Sequence, residues 1–313
     1  MTTTKSPRKG SLQFWPRKKA SKFLPSVNWE AISGFKPLKG FICYKAGMAS
    51  AIVKDSTPNS MTKDKKISVP VTILECPPVK IFSVRFYKNR KVMTEILANN
   101  LEKELKRKIK LPKKEGKKIE DIKDYDDVRV IVYSIVKKTG LKKRPDLAEV
   151  GIKGSVEEKI IFVKEHIGKE ILASEAFEKG QLIDARGLTK GKGFSGPVKR
   201  FGIKLRSHKA EKGLRKVGSI GPWHPARVTF RVPMAGQLGM FTRAAYNSKI
   251  IEMASSNEKP IKSLKNYGDV KTNYIIVQGS VQGSAKRQLI ITAPLRETKQ
   301  QNKKKYEFLG LSK

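Results

Sequence analysis

The 313-residue chain carries 67 Lys and Arg against 28 acidic residues, a formal charge of +39, and its 38% apolar content suffices to bury a core in one large or two modest domains. A compact fold repels itself at that charge density unless a polyanion neutralises it, which makes nucleic acid the default partner. A membrane is excluded as the partner, since there is no apolar span of about twenty residues, lipidation signal or basic amphipathic helix, and no secretory-type apolar stretch follows the basic N-terminus.

Residues 1–38 read as a basic N-terminal extension. Met1 to Lys39 holds nine Lys or Arg and one acid, Glu30, interleaved with Phe14, Trp15, Phe23, Trp29 and Phe35. Basic residues beside aromatics suit phosphates and bases, so Arg8, Lys9, Trp15, Arg17, Lys18 and Lys19 are candidate RNA-binding residues. Residues 39–87 read as the first strands of a β-barrel. "GFICYKA" and "MASAIVK" flank Gly47 as a hairpin signal, and "ISVPVTILEC" and "VKIFSVRFY" follow, separated by Pro77 and Pro78. Cys43 and Cys76 have no CxxC spacing and no His nearby. They read as two reduced thiols in or near the core of a cytoplasmic protein, not as a disulfide framework or zinc site.

Residues 88–173 read as an α+β insertion with a near-neutral surface: from Glu95 to Asp184, 18 acids face 21 basic residues. Leu97, Leu101 and Leu105 recur at helical spacing and predict one helix, while "SVEEKIIFVKEHIG" opens a second with Ser155 and Glu158 as a capping box. Between them "KLPKKEGKKIEDIKDYDD" reads as a solvated connection whose carboxylates lack the glycine and spacing of a calcium loop.

The rest of the barrel is assigned to residues 174–186 and 234–295, through "QLIDARGL", "AAYNSKIIEMA", "TNYIIVQGSV" and "RQLIITAPL". Short β-branched runs with turn residues between them predict a mainly β fold, a barrel or closed antiparallel sheet. Residues 187–233 interrupt it as a basic central loop. From Arg186 to Arg231, 13 Lys or Arg face a single acid, Glu211, and periodicity is nearly absent until a strand-like "ARVTFRV" at Ala226 to Val232. Such a segment cannot offset its ordering entropy by burial and is expected to order on a partner. Residues 296–313 read as a basic tail.

Within the loop, "TKGKGFSG" contains Gly191-x-Gly193-x-x-Gly196, the spacing of a dinucleotide-binding turn. That turn needs a helix after its last glycine to receive the pyrophosphate. Here Pro197 follows, then "VKRFGIKLRSHKAEKG", with glycines and no apolar stripe, and Glu211 sits among His208, Lys209, Lys212 and Arg215. No cofactor and no small-molecule substrate is expected. The glycines instead let backbone lie close to phosphate, which Lys190, Lys192, Lys199 and Arg200 neutralise. Phe194, Phe201, Trp223 and His224 are suited to stack on splayed bases. Arg206, His208, Arg215, Lys216 and Arg227 complete the candidate set. Three histidines in the whole chain and no paired carboxylates in the loop make neither a catalytic constellation nor a metal site.

The run Phe177, Asp184, Gly187, Thr189, Gly191 to Gly193, Gly196 and Arg200 resembles the signature of the universal large-subunit ribosomal protein L-three family. "PRKGSLQFWPRKKA", "YKAGM", "GLRKVGSIGPWHPARV" and "VKTNYIIVQGSVQGSAKRQLI" extend the resemblance over most of the chain. The N-terminal extension and the insertion look like the archaeal and eukaryotic branch, and the modest length like the archaeal one. The resemblance implies a translation-protein-type β-barrel with an inserted α+β segment and long basic extensions penetrating large-subunit ribosomal RNA. It implies a central loop reaching toward the peptidyl transferase centre with Trp223 near its tip, and a part in early subunit assembly. Neighbouring large-subunit proteins would be further partners, the location would be the cytoplasmic large subunit, and the chain would not be an enzyme. Glu211 stands where relatives often carry a His, so a contact or modification of that His does not carry over.

Overall fold

The structure, a computed structural model, describes residues 7–34, 36–99, 101–112, 119–122, 124–209 and 212–312. Phe35, Glu211 and part of the 110–127 connection lie outside these residues. The chain divides into two compact units, one of residues 23–187 and 243–313 and the other of residues 1–22 and 188–242.

The larger unit contains two sheets. The first is built from β1 (Gly40–Asp55), β2 (Lys66–Glu75), β7 (Leu182–Leu188), β10 (Thr242–Ala254), β11 (Tyr274–Gln278), β12 (Gln288–Thr292) and β13 (Tyr306–Ser312). Its order, β12-β7-β10-β11-β2-β1 with β1 pairing back to β12, closes six strands into a ring, and β13 adds to the far half of β1. The second sheet, in the order β4-β3-β5-β6, uses β3 (Val79–Lys88), β4 (Lys91–Leu97), β5 (Asp127–Ser134) and β6 (Leu147–Gly151).

Strand alternation distributes one ring between two cores. Ile275 and Val277 enter a cluster with Phe41, Val84, Val130 and Val150, whereas Tyr274 and Ile276 enter another with Val53, Val71 and Ile251, as neighbours on a strand face opposite sides. The first seven residues of β1 are buried without alternation, since both of their faces are covered.

Three local readings change. The expected hairpin at Gly47 is a single 16-residue strand: its register slips between Lys45 and Gly47, so the glycine marks a bulge and not a turn. The helix expected from Leu97, Leu101 and Leu105 is instead the end of β4 followed by a 3₁₀ turn at Lys103–Arg107. Asn89 and Arg90, at φ 50° and 62°, make a two-residue hairpin turn that commits "KVMTEIL" to pairing with β3. The three leucines still converge, packing with Phe82, Ile131 and Tyr133. The tail is not simply a basic extension: after α3 (Lys299–Lys303), Tyr306–Ser312 is the strand on β1. Here α1 (Val156–His166) and α2 (Pro197–Phe201) are the two preceding helices.

Other readings are differently placed. β3, counted with the first barrel strands, pairs with β4 and β5. Trp29, Ile32 and Leu38, from the expected N-terminal extension, are buried in the core of the larger unit. The second expected helix is α1, opened by the capping box: Glu158 N donates to Ser155 Oγ and Ser155 N to Glu158 Oε2. Of the acidic run that follows β4, Asp127 is not simply solvated. Burial pushes its carboxyl up, but hydrogen bonds from Lys159 and Arg129 outweigh this and hold it below its ordinary value.

Glu75 is a fully buried carboxylate of the ring. It accepts from the amides of Lys271 (2.8 Å) and Thr272 (2.9 Å), the Thr272 hydroxyl (3.0 Å) and the Tyr267 hydroxyl. Glu75→Ala leaves those donors without an acceptor and is expected to destabilise the larger unit by about 3 kcal/mol, while Glu75→Gln, which keeps an acceptor, costs about 1 kcal/mol. Denaturant unfolding of the two variants checks the order; equal losses would show that the acceptor is dispensable.

Candidate nucleic-acid interface

The smaller unit joins two segments far apart in sequence. The limbs of the central loop are zipped at their base: Thr189 N donates to Phe241 O (3.0 Å), Lys192 N to Leu238 O (3.0 Å) and Leu238 N to Gly193 O (2.8 Å). The zip continues as β8 (Phe194–Ser195) on β9 (Gly236–Gln237). Gly239, at φ 76°, makes this closure possible, because a Cβ there would stand 1.9 Å from the Lys190 carbonyl oxygen.

Beyond β8 the chain turns through α2, one turn of helix with Pro197 at its start and Gly202 at φ 67° at its end. A single turn of helix thus follows Gly196, where the sequence argues against a helix packed on a sheet. It packs Phe201 toward Trp15, ring centroids 6.3 Å apart, and Phe230 meets the edge of Trp15 at 5.5 Å.

Arginines bind this assembly from within. Arg200 donates from Nε to Gln237 O (2.9 Å), from Nη1 to Met234 O (2.9 Å) and from Nη2 to Arg17 O (3.3 Å). Arg17 donates in return to Arg200 O (2.9 Å), and its guanidinium lies 4.1 Å over the Phe201 ring. Gly10, at φ 78°, lets the N-terminal segment approach, since a Cβ there would be 2.5 Å from Phe201. Arg8 donates to Arg231 O, and Arg206 to Val217 O. Burial draws the Arg200 guanidinium below its ordinary value, but it remains charged at neutral pH.

The sequence-predicted residues therefore fall into two groups. Trp15, Arg17, Arg200 and Arg206 are half-buried and organise the unit, with Arg8 exposed at its edge. Lys18, Lys19, Lys190, Lys192, Lys199, His208, Arg215, Lys216, His224 and Arg227 are exposed, and Lys9 is half-buried. The three glycines differ: Gly191 makes room for Met240, Gly193 is at φ 61° with open space where a side chain would stand, and Gly196 is open. The stretch expected as a strand, Ala226 to Val232, is irregular and largely exposed. Gly10, Phe230 and Gly239 were not singled out from sequence; glycines at the foot of each limb were the available signal.

Electrostatically the two units differ in kind. The smaller holds seven Lys or Arg in residues 1–22 and twelve in residues 188–242 against one acid, Glu211. Among the described residues every carboxylate ion pair lies in the larger unit, as in Lys80 with Glu102 and Arg85 with Glu149. Trp223 is 87% exposed and Phe194 81%, large apolar surfaces on a strongly cationic unit.

A mainly β ring joined in one chain to a unit almost free of acid is the build of a basic scaffold protein, made to carry cationic surface. A family model described as "Ribosomal protein L3" matches residues 1–309. The chain belongs to the ribosomal protein L3 family, structural components of the ribosome and not enzymes. It is 42% identical over 306 residues to the "Large ribosomal subunit protein uL3" of Methanocaldococcus jannaschii, covering 93% of this chain and 91% of that one. It is 43% identical over 309 residues to the protein of the same name from Methanobrevibacter smithii, covering 93% and 92%.

Proposed function

We propose that the chain is a structural constituent of the large ribosomal subunit that binds large-subunit ribosomal RNA chiefly through its smaller unit. The observation that carries this reading is the nineteen cations of that unit facing one acid, interleaved with exposed Trp223 and Phe194. Lysines and arginines displace counterions from phosphates, each contact adding about 0.7 to 0.9 to the salt slope of log affinity. Exposed rings supply stacking surface for splayed bases.

In this reading the six-stranded ring is the translation-protein-type barrel, β4, β5, β6 and α1 within residues 88–173 are its α+β insertion with β3 joined to them, and residues 1–22 and 188–242 belong to its basic extensions. The family resemblance supports a central loop reaching toward the peptidyl transferase centre, a role in early subunit assembly, contacts with neighbouring ribosomal proteins, and a cytoplasmic ribosome. Arg17, Arg200 and Arg206 shape the surface, while Lys18, Lys19, Lys190, Lys192, Lys199, Arg215, Lys216 and Arg227 meet phosphate.

Sucrose-gradient sedimentation of a lysate tests it, before and after a high-salt wash and with or without ribonuclease. Migration with the large subunit that survives the wash and collapses with ribonuclease is expected. Protein that stays at the top of the gradient, or follows DNA, would replace this reading with general nucleic-acid compaction. For Trp223→Ala, assembled ribosomes with an altered response to tRNA or factors are expected; unchanged decoding and elongation rates would remove the Trp from the functional surface.

A further inference from the structure

The chain has two cysteines, and the ring brings them together. Cys43 lies in β1 and Cys76 directly follows β2. The β1–β2 register pairs Tyr44 with Glu75, so one further step of the antiparallel ladder sets Cys43 opposite Cys76. Opposed Cα atoms in such a ladder stand about 4.5 or 5.5 Å apart, within the roughly 4.4 to 6.8 Å that a disulfide spans. The two sulfurs are 2.8 Å apart, and the residues are 0% and 1% exposed. Among the described residues no group of three His, Cys, Asp or Glu could recruit the pair to a metal.

We propose that Cys43 and Cys76 form a peroxide-oxidisable dithiol that closes into a cross-strand disulfide inside the larger unit. One sulfur attacks a peroxide oxygen, breaking the O–O bond; the hydroxide released takes up the thiol proton as water, leaving a sulfenic acid. The second sulfur attacks the sulfenic sulfur, and the hydroxyl leaves as water with the second thiol's proton. Two thiols and one hydrogen peroxide give one disulfide and two waters. Burial raises the Cys76 thiol well above its ordinary value, with the neighbouring Cys43 adding to the shift. Burial thus favours the protonated Cys76 thiol and slows its oxidation, and the enclosure of both sulfurs leaves a small neutral oxidant as the fitting reagent. The link would close the chain over a separation of 33 residues, restricting the unfolded state and tying β1 to the end of β2.

The test uses the purified full-length chain, treated with hydrogen peroxide, quenched, denatured, alkylated with N-ethylmaleimide and weighed intact. The expected result is the loss of two hydrogens with no maleimide added, a Cys43–Cys76 linked peptide in a non-reducing digest, reversal by dithiothreitol, and a higher melting temperature than the reduced chain. Two maleimide adducts after peroxide, or oxygen retained on either sulfur, would overturn the proposal. Cys43→Ala should show neither link nor gain in melting temperature, and a gain in that variant would show that the stabilisation arises elsewhere. If the variant does not fold, the mass of the unaltered chain decides alone.

Discussion

Deleting residues 190–216 is expected to abolish stable incorporation into the large subunit while leaving the larger unit folded. The deletion removes ten Lys or Arg and one acid. It also removes β8 and α2, and with them Arg200 and Phe201, which hold Arg17 and Trp15. The cores formed by β1, β2, β10, β11 and β12 draw no residue from this stretch, so the thermal transition of the larger unit should stay where it is. If half of the lost cations meet phosphate, the salt slope of RNA binding falls by about four, and affinity at moderate salt drops by more than about tenfold. Gradient sedimentation of tagged variant and parent in the same cells measures the incorporation. Variant and parent in equal amounts in the large-subunit peak would show that the loop is dispensable for binding.

Arg200→Ala is expected to loosen the smaller unit as a whole. Its guanidinium holds three carbonyls, from Gln237, Met234 and Arg17, and lies 5.1 Å over the Phe201 ring. Charge-assisted hydrogen bonds of this kind contribute about 1.5 to 3 kcal/mol when removal strands their partners. Local opening of residues 188–242 should therefore become about 10- to 100-fold more frequent, read as lost amide-exchange protection in that segment and in residues 7–22. Arg200→Lys should recover little, because an ammonium cannot span three carbonyls in a planar fork. Unchanged protection in Arg200→Ala, or full recovery in Arg200→Lys, would assign the residue to charge alone.

Much of the fold was legible because strand and capping signals are local. The capping box at Ser155 and Glu158 opens α1 as read, and "QLIDARGL" and "RQLIITAPL" contain β7 and β12. The misreadings share a cause. Gly47 looks like a turn unless β12 and β13 are known to pair with successive halves of one strand. Leu97, Leu101 and Leu105 share a face at helical spacing, yet a strand end and a 3₁₀ turn deliver them to the same cluster. In each case strand pairing outweighed the local pattern.

The amino-acid sequence by itself determined the mainly β character, the family resemblance, the segregation of charge and the set of cations available to a polyanion. These follow from composition and short-range spacing, which survive any arrangement of the elements. Only the tertiary structure decided that the N-terminal segment and the central loop share one unit, that Arg17 and Arg200 are engaged by backbone carbonyls across a separation of 183 residues, and that Cys43 faces Cys76. Such partners are chosen by strand register and by side-chain packing within each unit, and no local pattern along the chain encodes which distant residue will satisfy a given donor.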